Sequence, residues 1–423
     1  MTILIGANNA GKSTLIDALL LAKQSLILEK LDTGLVTAGE EADLGGFFDI
    51  LRGGYKSKNR RFSIVLELTK IQLKKGTGGK IPLNGRSTRR VWFEAIVSFD
   101  DRSNKASTTS CRLGENANQI AKIAVNREKA RIIEPSIVGL NKVEVELRGL
   151  LPVALSVQTK RNDPSAKKIY ALSDSIMRNY FWWFRFFKRM QQIRPLRGPI
   201  PRYSILGRTP AVGLGAEGEA LIRTLRNRRR VDQRADTLLE AMNGWLSDRL
   251  QVVRKIRLSP LDKETGVVAS LVGDERVGFE GINLANMGEG LSQMLPVFAK
   301  VLGSDYDSCV VVQQPEIHLH PALQADLADL FIENLLTGNV NQCIIETHSE
   351  HLLLRLRRRI AEGKINPENV SVLYVERVGD HSEVKKLNLG PDGHFDFWPE
   401  GFFEQDVEEA YQLAKASQKA GGM

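Results

Sequence analysis

Cysteine is scarce. The 423 residues hold three, Cys111, Cys309 and Cys343, far apart and without the paired spacing of a zinc site or a disulfide framework. Cys309 and Cys343 sit inside apolar, strand-like runs, which suits reduced thiols in a cytoplasmic protein. Long apolar runs are lacking too, and none approaches the ~20 residues of a bilayer crossing. The densest aromatic stretch, Phe181-Trp182-Trp183-Phe184-Arg185-Phe186-Phe187, is short and carries a charge. No membrane partner is expected. A charged, apolar leader ahead of the first motif, internal repeats and low-complexity tracts are likewise missing. At 42% hydrophobic and 26% charged residues the chain reads as an ordinary globular protein of two or three packed units.

Acidic residues are in the minority. The net charge of +9 permits an acidic partner, and the basic residues cluster at Lys56, Lys58, Arg60 and Arg61, then within 185–202, 223–234 and 355–359. Solvated helix faces have the same composition, so DNA is a candidate partner and no more.

What is present is concentrated at the start. Thr2-Ile3-Leu4-Ile5 is a short apolar run, followed by Gly6-Ala7-Asn8-Asn9-Ala10-Gly11-Lys12-Ser13-Thr14 and a helical pattern from Leu15. The spacing G-x-x-x-x-G-K-S between strand and helix is that of a phosphate-binding loop. Gly6 and Gly11 let the backbone curl so that N–H groups at Asn8, Asn9 and Ala10 point inward at phosphate oxygens. The helix opening at Lys12, Ser13 and Thr14 adds unpaired N–H donors and a positive dipole end. Lys12 would reach the β- and γ-phosphates of ATP, and the Ser13 hydroxyl would ligate Mg²⁺.

Further along, the first helix is expected to run to about Lys30. Period-two alternation, as in Phe62, Ile64, Leu66 and Leu68, predicts an antiparallel β subdomain over residues 61–158. Residues 159–255 turn helical and basic, interrupted by the proline-rich Arg194-Pro195-Leu196-Arg197-Gly198-Pro199-Ile200-Pro201. From 256 to 378 strands and helices alternate, the pattern of a mostly parallel α/β sheet. The expected divisions are therefore an N-terminal lobe (1–60), the β subdomain (61–158), a helical basic insertion (159–255), a C-terminal lobe (256–378) and a terminal segment (379–423).

Three strand ends carry the chemistry, because ligands of open α/β sheets sit beyond the carboxyl ends of the strands. Ile5 leads into the phosphate loop, Val312 into Gln313-Gln314-Pro315-Glu316, and Ile345 into Glu346-Thr347-His348-Ser349. Asn286-Met287-Gly288-Glu289-Gly290-Leu291-Ser292-Gln293 reads as a glycine-punctuated loop opening a helix from Gln293 to Leu302. His318 and His320 lack a third metal ligand and read as turn residues. In this order the motifs resemble those of the ABC-type ATPase heads of the RecF, SMC and overcoming-lysogenization-defect (OLD)-like clade, nearest to OLD-like AAA ATPases of bacterial anti-phage systems. The fold this implies is an α/β P-loop head with an antiparallel β subdomain and a helical insertion.

The resemblance also implies a mechanism. Two heads would sandwich two ATPs, with Gly288, Gly290 and Ser292 of one subunit contacting the γ-phosphate held by Lys12 of the other. His348 would approach the same phosphate; outside this context it reads as a plain helix-start histidine. Two departures stand out. The strand that usually ends in a Mg²⁺-holding acid and a water-orienting glutamate here ends in Gln313 and Gln314, and an amide offers neither charge nor proton acceptance. Glu316 is the candidate substitute, and slow or absent hydrolysis is one expected outcome. Few residues precede Gly6, whereas such heads usually begin with further β-strands; the expectation is a late-start reading of a longer chain, which would lack one sheet edge and the adenine contacts. Val372-Leu373-Tyr374-Val375-Glu376 faintly resembles the start of a TOPRIM domain, but a last sheet strand accounts for it, and an effector is expected on a separate polypeptide. An ATP-cycling enzyme, a nucleotide-gated scaffold and a RecF-like DNA-repair ATPase all remain open.

Overall fold

In the computed structural model, a parallel strand triplet within the six-stranded main sheet holds all the strand-end motifs. The structure describes residues 1–27, 35–51, 54–56, 60–72, 87–100, 105–126, 129–135, 143–157, 164–205, 214–225, 237–252, 255–262, 267–273, 281–305, 308–337, 342–399 and 413. Lys58, the basic residues of 226–234, residues 28–30 of the expected first helix and most of the terminal segment lie outside them. The chain divides into two compact units, Leu15–Lys188 and Met1–Thr14 with Arg189–Met423.

The chain opens with β1 (Thr2–Ile5), the glycine loop and α1 (Lys12–Ile27), whose residues from Leu15 onward belong to the first-named unit. A single turn, α2 (Phe47–Ile50), stacks Phe47 on Phe99 at 5.4 Å. Then comes an antiparallel meander in sequence order: β2 (Arg61–Gln72), β3 (Ser87–Asp100), β4 (Lys105–Glu115), β5 (Asn118–Asn126), β6 (Lys129–Glu134), β7 (Val143–Arg148) and β8 (Leu151–Val157). Alternate residues are buried, as in Val143, Val145 and Leu147, so one face of the sheet is apolar. The long helix α3 (Pro164–Lys188) covers that face with Ile169, Ile176, Trp183 and Phe187. Trp183 meets Phe93 edge-to-face at 4.9 Å, and Asn179 Nδ2 donates to the Gly114 carbonyl at 3.0 Å.

This divides the expected helical insertion differently from the sequence reading. Its first helix, α3, packs on the β subdomain, because the aromatic run has an apolar stripe that needs a sheet face. Its remainder joins the other unit. There β9 (Met190–Ile193) becomes an edge strand, followed by β10 (Ser204–Ile205), α4 (Leu221–Leu225) and α5 (Leu238–Asn243), which a π-helical turn at Gly244–Arg249 extends. A small antiparallel sheet follows, β11 (Lys255–Asp262), β12 (Val267–Gly273) and β13 (Ile282–Asn283), with β10 on the far edge of β12.

The second unit then alternates: α6 (Glu289–Leu302), β14 (Cys309–Gln313), α7 (Pro321–Leu336), β15 (Gln342–Glu346), α8 (Glu350–Ala361), β16 (Ser371–Val378) and β17 (His381–Leu387). The main sheet has the order β17-β16-β1-β15-β14-β9, parallel except for the β16–β17 hairpin. β1 thus has strands on both flanks, β15 on one side and β16 on the other. β14 is buried throughout, and its Val310 and Val312 share one core with Leu295 and Phe298 of α6, Leu330 and Phe331 of α7, and Leu353 and Leu356 of α8. Cys343 lies in this interior, where burial pushes its thiol up to about 11 and keeps it protonated and inert. Among the described residues, no helix is long and apolar enough to cross a membrane.

The basic run at 355–359 is largely neutralised within the chain. Arg355 Nη1 donates to Asp326 at 3.0 Å and Asp329 at 2.5 Å, and Arg359 grips Asp329 through Nε at 2.6 Å and Nη2 at 2.7 Å. Arg358 pairs with Glu362, and Arg357 donates to the Gly393 carbonyl and lies over the rings of Phe395 and Trp398. Burial alone would raise the Asp329 carboxyl, but the bonds and charges of Arg359 and Arg355 outweigh it and hold it below its ordinary value. A carboxyl depressed by folding contributes fully above its unfolded value, about 3.9, and the contribution is lost as pH falls through the folded value. Asp329→Asn is therefore expected to cost about 1–3 kcal/mol at neutral pH. Urea unfolding should show the gap to wild type closing as the pH drops below about 4.

Candidate functional site

The glycine loop is shaped by its neighbours. Gly6 has φ +143° and Gly11 φ +101°. A Cβ on Gly6 would lie 2.0 Å from the Val375 carbonyl oxygen, and one on Gly11 2.7 Å from Ser382 Oγ. The β16–β17 hairpin therefore presses on the loop closely enough that only glycine fits. Asn9 is left-handed at φ +59°, and Ala7, Asn8 and Asn9 are exposed, so the loop crest faces solvent. Lys12 lies beneath the crest, buried, with Nζ donating to the carbonyls of Gly6 at 3.0 Å and Ala7 at 2.8 Å. Burial lowers its pKa, opposed by the charges of Glu346 and Glu316.

Strand order dictates what surrounds Lys12. β15 runs between β1 and β14, with Glu346 in register with Leu4 on one side and Gln313 on the other. Ser13 Oγ donates to Glu346 Oε1 at 2.6 Å, and Gln313 Nε2 donates to Glu346 Oε2 at 3.1 Å. Gln313, which stands where a Mg²⁺-holding acid is usual and is the strand end's candidate for the metal, thus points its amide nitrogen at a carboxylate. The carboxylate next to Ser13 comes instead from the neighbouring strand.

Glu316 is buried and committed to the loop after β15. Its Oε1 accepts the His348 N–H at 2.6 Å and its Oε2 accepts the Thr347 hydroxyl at 2.9 Å. Burial raises its pKa against those hydrogen bonds and the charge of Arg197. Its geometry orients His348. That histidine is half-buried, and burial together with the Lys12 charge lowers its pKa against the pull of Glu346, which favours the neutral imidazole. Gln314 follows β14 in a left-handed conformation, φ +45°, its N–H donating to the Glu346 carbonyl at 2.7 Å.

The start of α6 is tied to the same strand end. Gly288 is the N-cap, Gly290 passes the His318 carbonyl so closely that a Cβ would lie 2.6 Å from it, and Ser292 is half-buried in the first turn. The link is Arg197, from the proline-rich stretch. Its Nη1 donates to the Gln293 carbonyl at 3.2 Å, and its Nη2 to the carbonyls of Gln313 at 2.9 Å and Gln314 at 3.1 Å. Gln293 returns a bond from Nε2 to the Arg197 carbonyl at 3.0 Å. Among the described residues, no hydrogen bond joins Gly288, Gly290 or Ser292 to the glycine loop of the same chain. His320 caps α7 through Nδ1, consistent with a turn role, and no metal-holding cluster of His, Cys, Asp and Glu occurs among the described residues.

Residues 1–103 and 149–355, well over half the chain, match the family described as "AAA domain, putative AbiEii toxin, Type IV TA system". The chain belongs to that family. As an AAA domain it is a nucleotide-binding protein of the P-loop ATPase class, for which Mg²⁺ is the usual companion. The AAA-domain match stops short of the β16–β17 hairpin, and residues 365–413 match a second family, described as a protein of unknown function (DUF3696). No curated protein matches. Solved structures similar to this AAA domain include an SMC head bound to the C-winged helix domain of ScpA, at 13% identity over 92% of this chain and 90% of that one, TM-score 0.43. Two others are the SMC head domain from Thermotoga maritima (12%, 92% and 90%, TM-score 0.35) and the Pyrococcus furiosus Smc head with an extended coiled coil, bound to the C-terminal domain of ScpA (10%, 99% and 93%, TM-score 0.38).

The residues of this AAA domain fit a Mg²⁺-nucleotide. A lysine beneath a glycine-rich loop at a helix start suits phosphate, although the Ala10 N–H is here spent on the Ala7 carbonyl at 3.3 Å, and a hydroxyl beside a carboxylate suits a hard cation. Two residues of the cluster, Glu346 and Arg197, are named among the sequence motifs without a role of their own. Both left a trace in the sequence: Glu346 ends a buried apolar strand, and Arg197 is flanked by prolines that rule out a helix.

Proposed function

We propose that this AAA domain is an ATP-binding head of the OLD-like kind that closes as a homodimer, or a higher oligomer, around Mg²⁺-ATP and so controls a separately encoded effector in a bacterial defence or DNA-metabolism system. The observation that carries the reading is the convergence of Lys12, Ser13, Glu346, Glu316 and His348 at the carboxyl ends of three adjacent parallel strands, where phosphate chemistry is expected. Lys12 and the loop N–H groups would hold the phosphates, and bound Mg²⁺ would supply charge neutralisation there. Ser13 is the ligand that the loop offers the cation, and His348, its backbone N–H held by Glu316 and its imidazole neutral, would face the γ-phosphate. Self-association is supported by the glycine-rich start of α6, a helix N-terminus suited to an anion and unattached to its own loop. The defence role rests on the motif order and on the toxin–antitoxin wording of the family description.

Gln314 supports a second reading, a nucleotide-gated scaffold with little turnover, because its amide cannot accept a proton. The DNA-repair alternative is weakened by the internal partners of the 355–359 arginines. ATP binding by calorimetry, phosphate release and sedimentation with and without ATP test the proposal. Lys12→Ala should weaken ATP binding by about 10- to 100-fold, the worth of a charge-assisted phosphate contact, and should abolish ATP-driven dimers. ATP binding indifferent to Lys12, or a monomer at saturating ATP, would overturn it.

A further inference from the structure

The two glutamines at the end of β14 leave the expected cation-holding acid unaccounted for, and the structure offers a replacement on a different strand. We propose that Glu346, the last residue of β15, is the carboxylate that holds the nucleotide's divalent cation, with Gln313 fixing its orientation. The assignment rests on the reading that this chain binds Mg²⁺-nucleotide.

Three observations converge on Glu346. First, register: the parallel pairing Gln313↔Glu346 puts the two strand ends side by side, so a carboxylate on β15 stands one strand closer to β1 and its glycine loop than a residue ending β14. Second, contact: Oε1 is 2.6 Å from Ser13 Oγ, the hydroxyl that the loop offers a cation, so one ion can be held by both. Third, the surroundings: the side chain is 1% exposed, and its hydrogen-bond partners in the site, Ser13 and Gln313, are neutral. The Lys12 ammonium acts on it through space while donating to Gly6 and Ala7. Burying a carboxylate with neutral partners is costly unless a cation comes to it. A merely structural bridge between α1 and β14 would be served as well by a neutral amide.

Gln313 then has a definite part. Its Nε2–H occupies Oε2 and leaves Oε1 turned toward Ser13, the arrangement by which an outer partner orients a ligating carboxylate. The Gln313/Glu346 pair is an acid–amide pair with the charge on the inner strand.

The test compares ATP affinity in Mg²⁺ and in EDTA, by calorimetry, for the wild-type chain, Glu346→Gln, and the swap Glu346→Gln with Gln313→Glu. The wild type should bind ATP more tightly with Mg²⁺ than without. Glu346→Gln should lose about 10- to 100-fold of affinity in Mg²⁺ and hold or gain affinity in EDTA, where the carboxylate only repels phosphate. The swap, which returns a carboxylate to the same pair, should recover part of the Mg²⁺ increment; this excludes misfolding as the cause of the loss. Manganese in place of magnesium gives a second readout, since the EPR signal of the ATP-bound ion should change in Glu346→Gln. A Mg²⁺ increment and a manganese signal unchanged in Glu346→Gln would overturn the assignment and leave nucleotide binding intact. A wild type that binds ATP in neither condition would overturn the reading beneath it.

Discussion

Gln314→Glu is expected to raise the rate of phosphate release by about 10²-fold or more, the usual worth of a positioned general base. Gln314 leaves β14 immediately after the buried run and is only half-buried, so its side chain can reach the solvent-facing side of the site. Its backbone is fixed twice, by its N–H to the Glu346 carbonyl and by its carbonyl to Arg197. The left-handed φ of +45° costs glutamate and glutamine alike, so the change should alter chemistry and leave the fold intact. Phosphate release under saturating Mg²⁺-ATP checks it, with ATP affinity as the control. A gain in rate with affinity unchanged identifies the native amide as a brake. An unchanged rate means that the slow step lies elsewhere, in closure or release.

Arg197→Met should destabilise the chain by about 3–5 kcal/mol, the range found when a buried charged hydrogen-bonding group is removed. The side chain is buried, and its guanidinium serves three carbonyls on two elements, Gln293 of α6 and Gln313 and Gln314 at the end of β14. Burial lowers its pKa to about 10 against the charge of Glu316, so it is still a cation at neutral pH. Methionine fills the space and removes the charged bonds to all three acceptors at once. At about 2–4 °C per kcal/mol for a unit of this size, the thermal midpoint should fall by about 6 to 20 °C. Arg197→Lys should recover only a fraction, because an ammonium cannot span the same fork. A midpoint within about 2 °C of wild type would mean that water replaces the guanidinium and that α6 is not coupled to β14 through it.

Legibility followed locality. The glycine loop could be read because its strand, turn and helix are contiguous and each residue type has one physical job. The period-two strands between Arg61 and Val157 could be read because one face of their sheet is buried and the other is not. The helices after β14 and β15 announce themselves through apolar spacing, which predicts Ala322 to Leu335 and Glu350 to Ile360, within about a residue of α7 and α8. Long-range partners left no such trace. β9 is four residues, Met190 to Ile193, hidden between an aromatic helix and a proline-rich stretch, and only its pairing with β14 makes it a strand. β17 is polar along nearly its whole length and shows no alternation to detect. Ser13 and Glu346 are 333 positions apart, and nothing in either neighbourhood names the other. Periodicity reports which face is buried, and it is silent on which strand lies next to which.

The position of β1 between β15 and β16 sets a timetable for the ribosome. Thr2 pairs with Ile344 on one side and Ser371 on the other, and the Ser371 N–H donates to the Met1 carbonyl. The glycine loop is thus translated well before its lateral supports, which arrive some three hundred residues later. At about 5–20 residues per second, the nascent loop would wait roughly 20 to 70 seconds before β16 could close on it. Over that interval the meander and α3 can fold on their own contacts, whereas ATP has no completed cradle to enter. Nucleotide binding is therefore a late event in the life of each chain, and a polypeptide that stops short of β16 should be unable to sequester ATP or engage a partner through it.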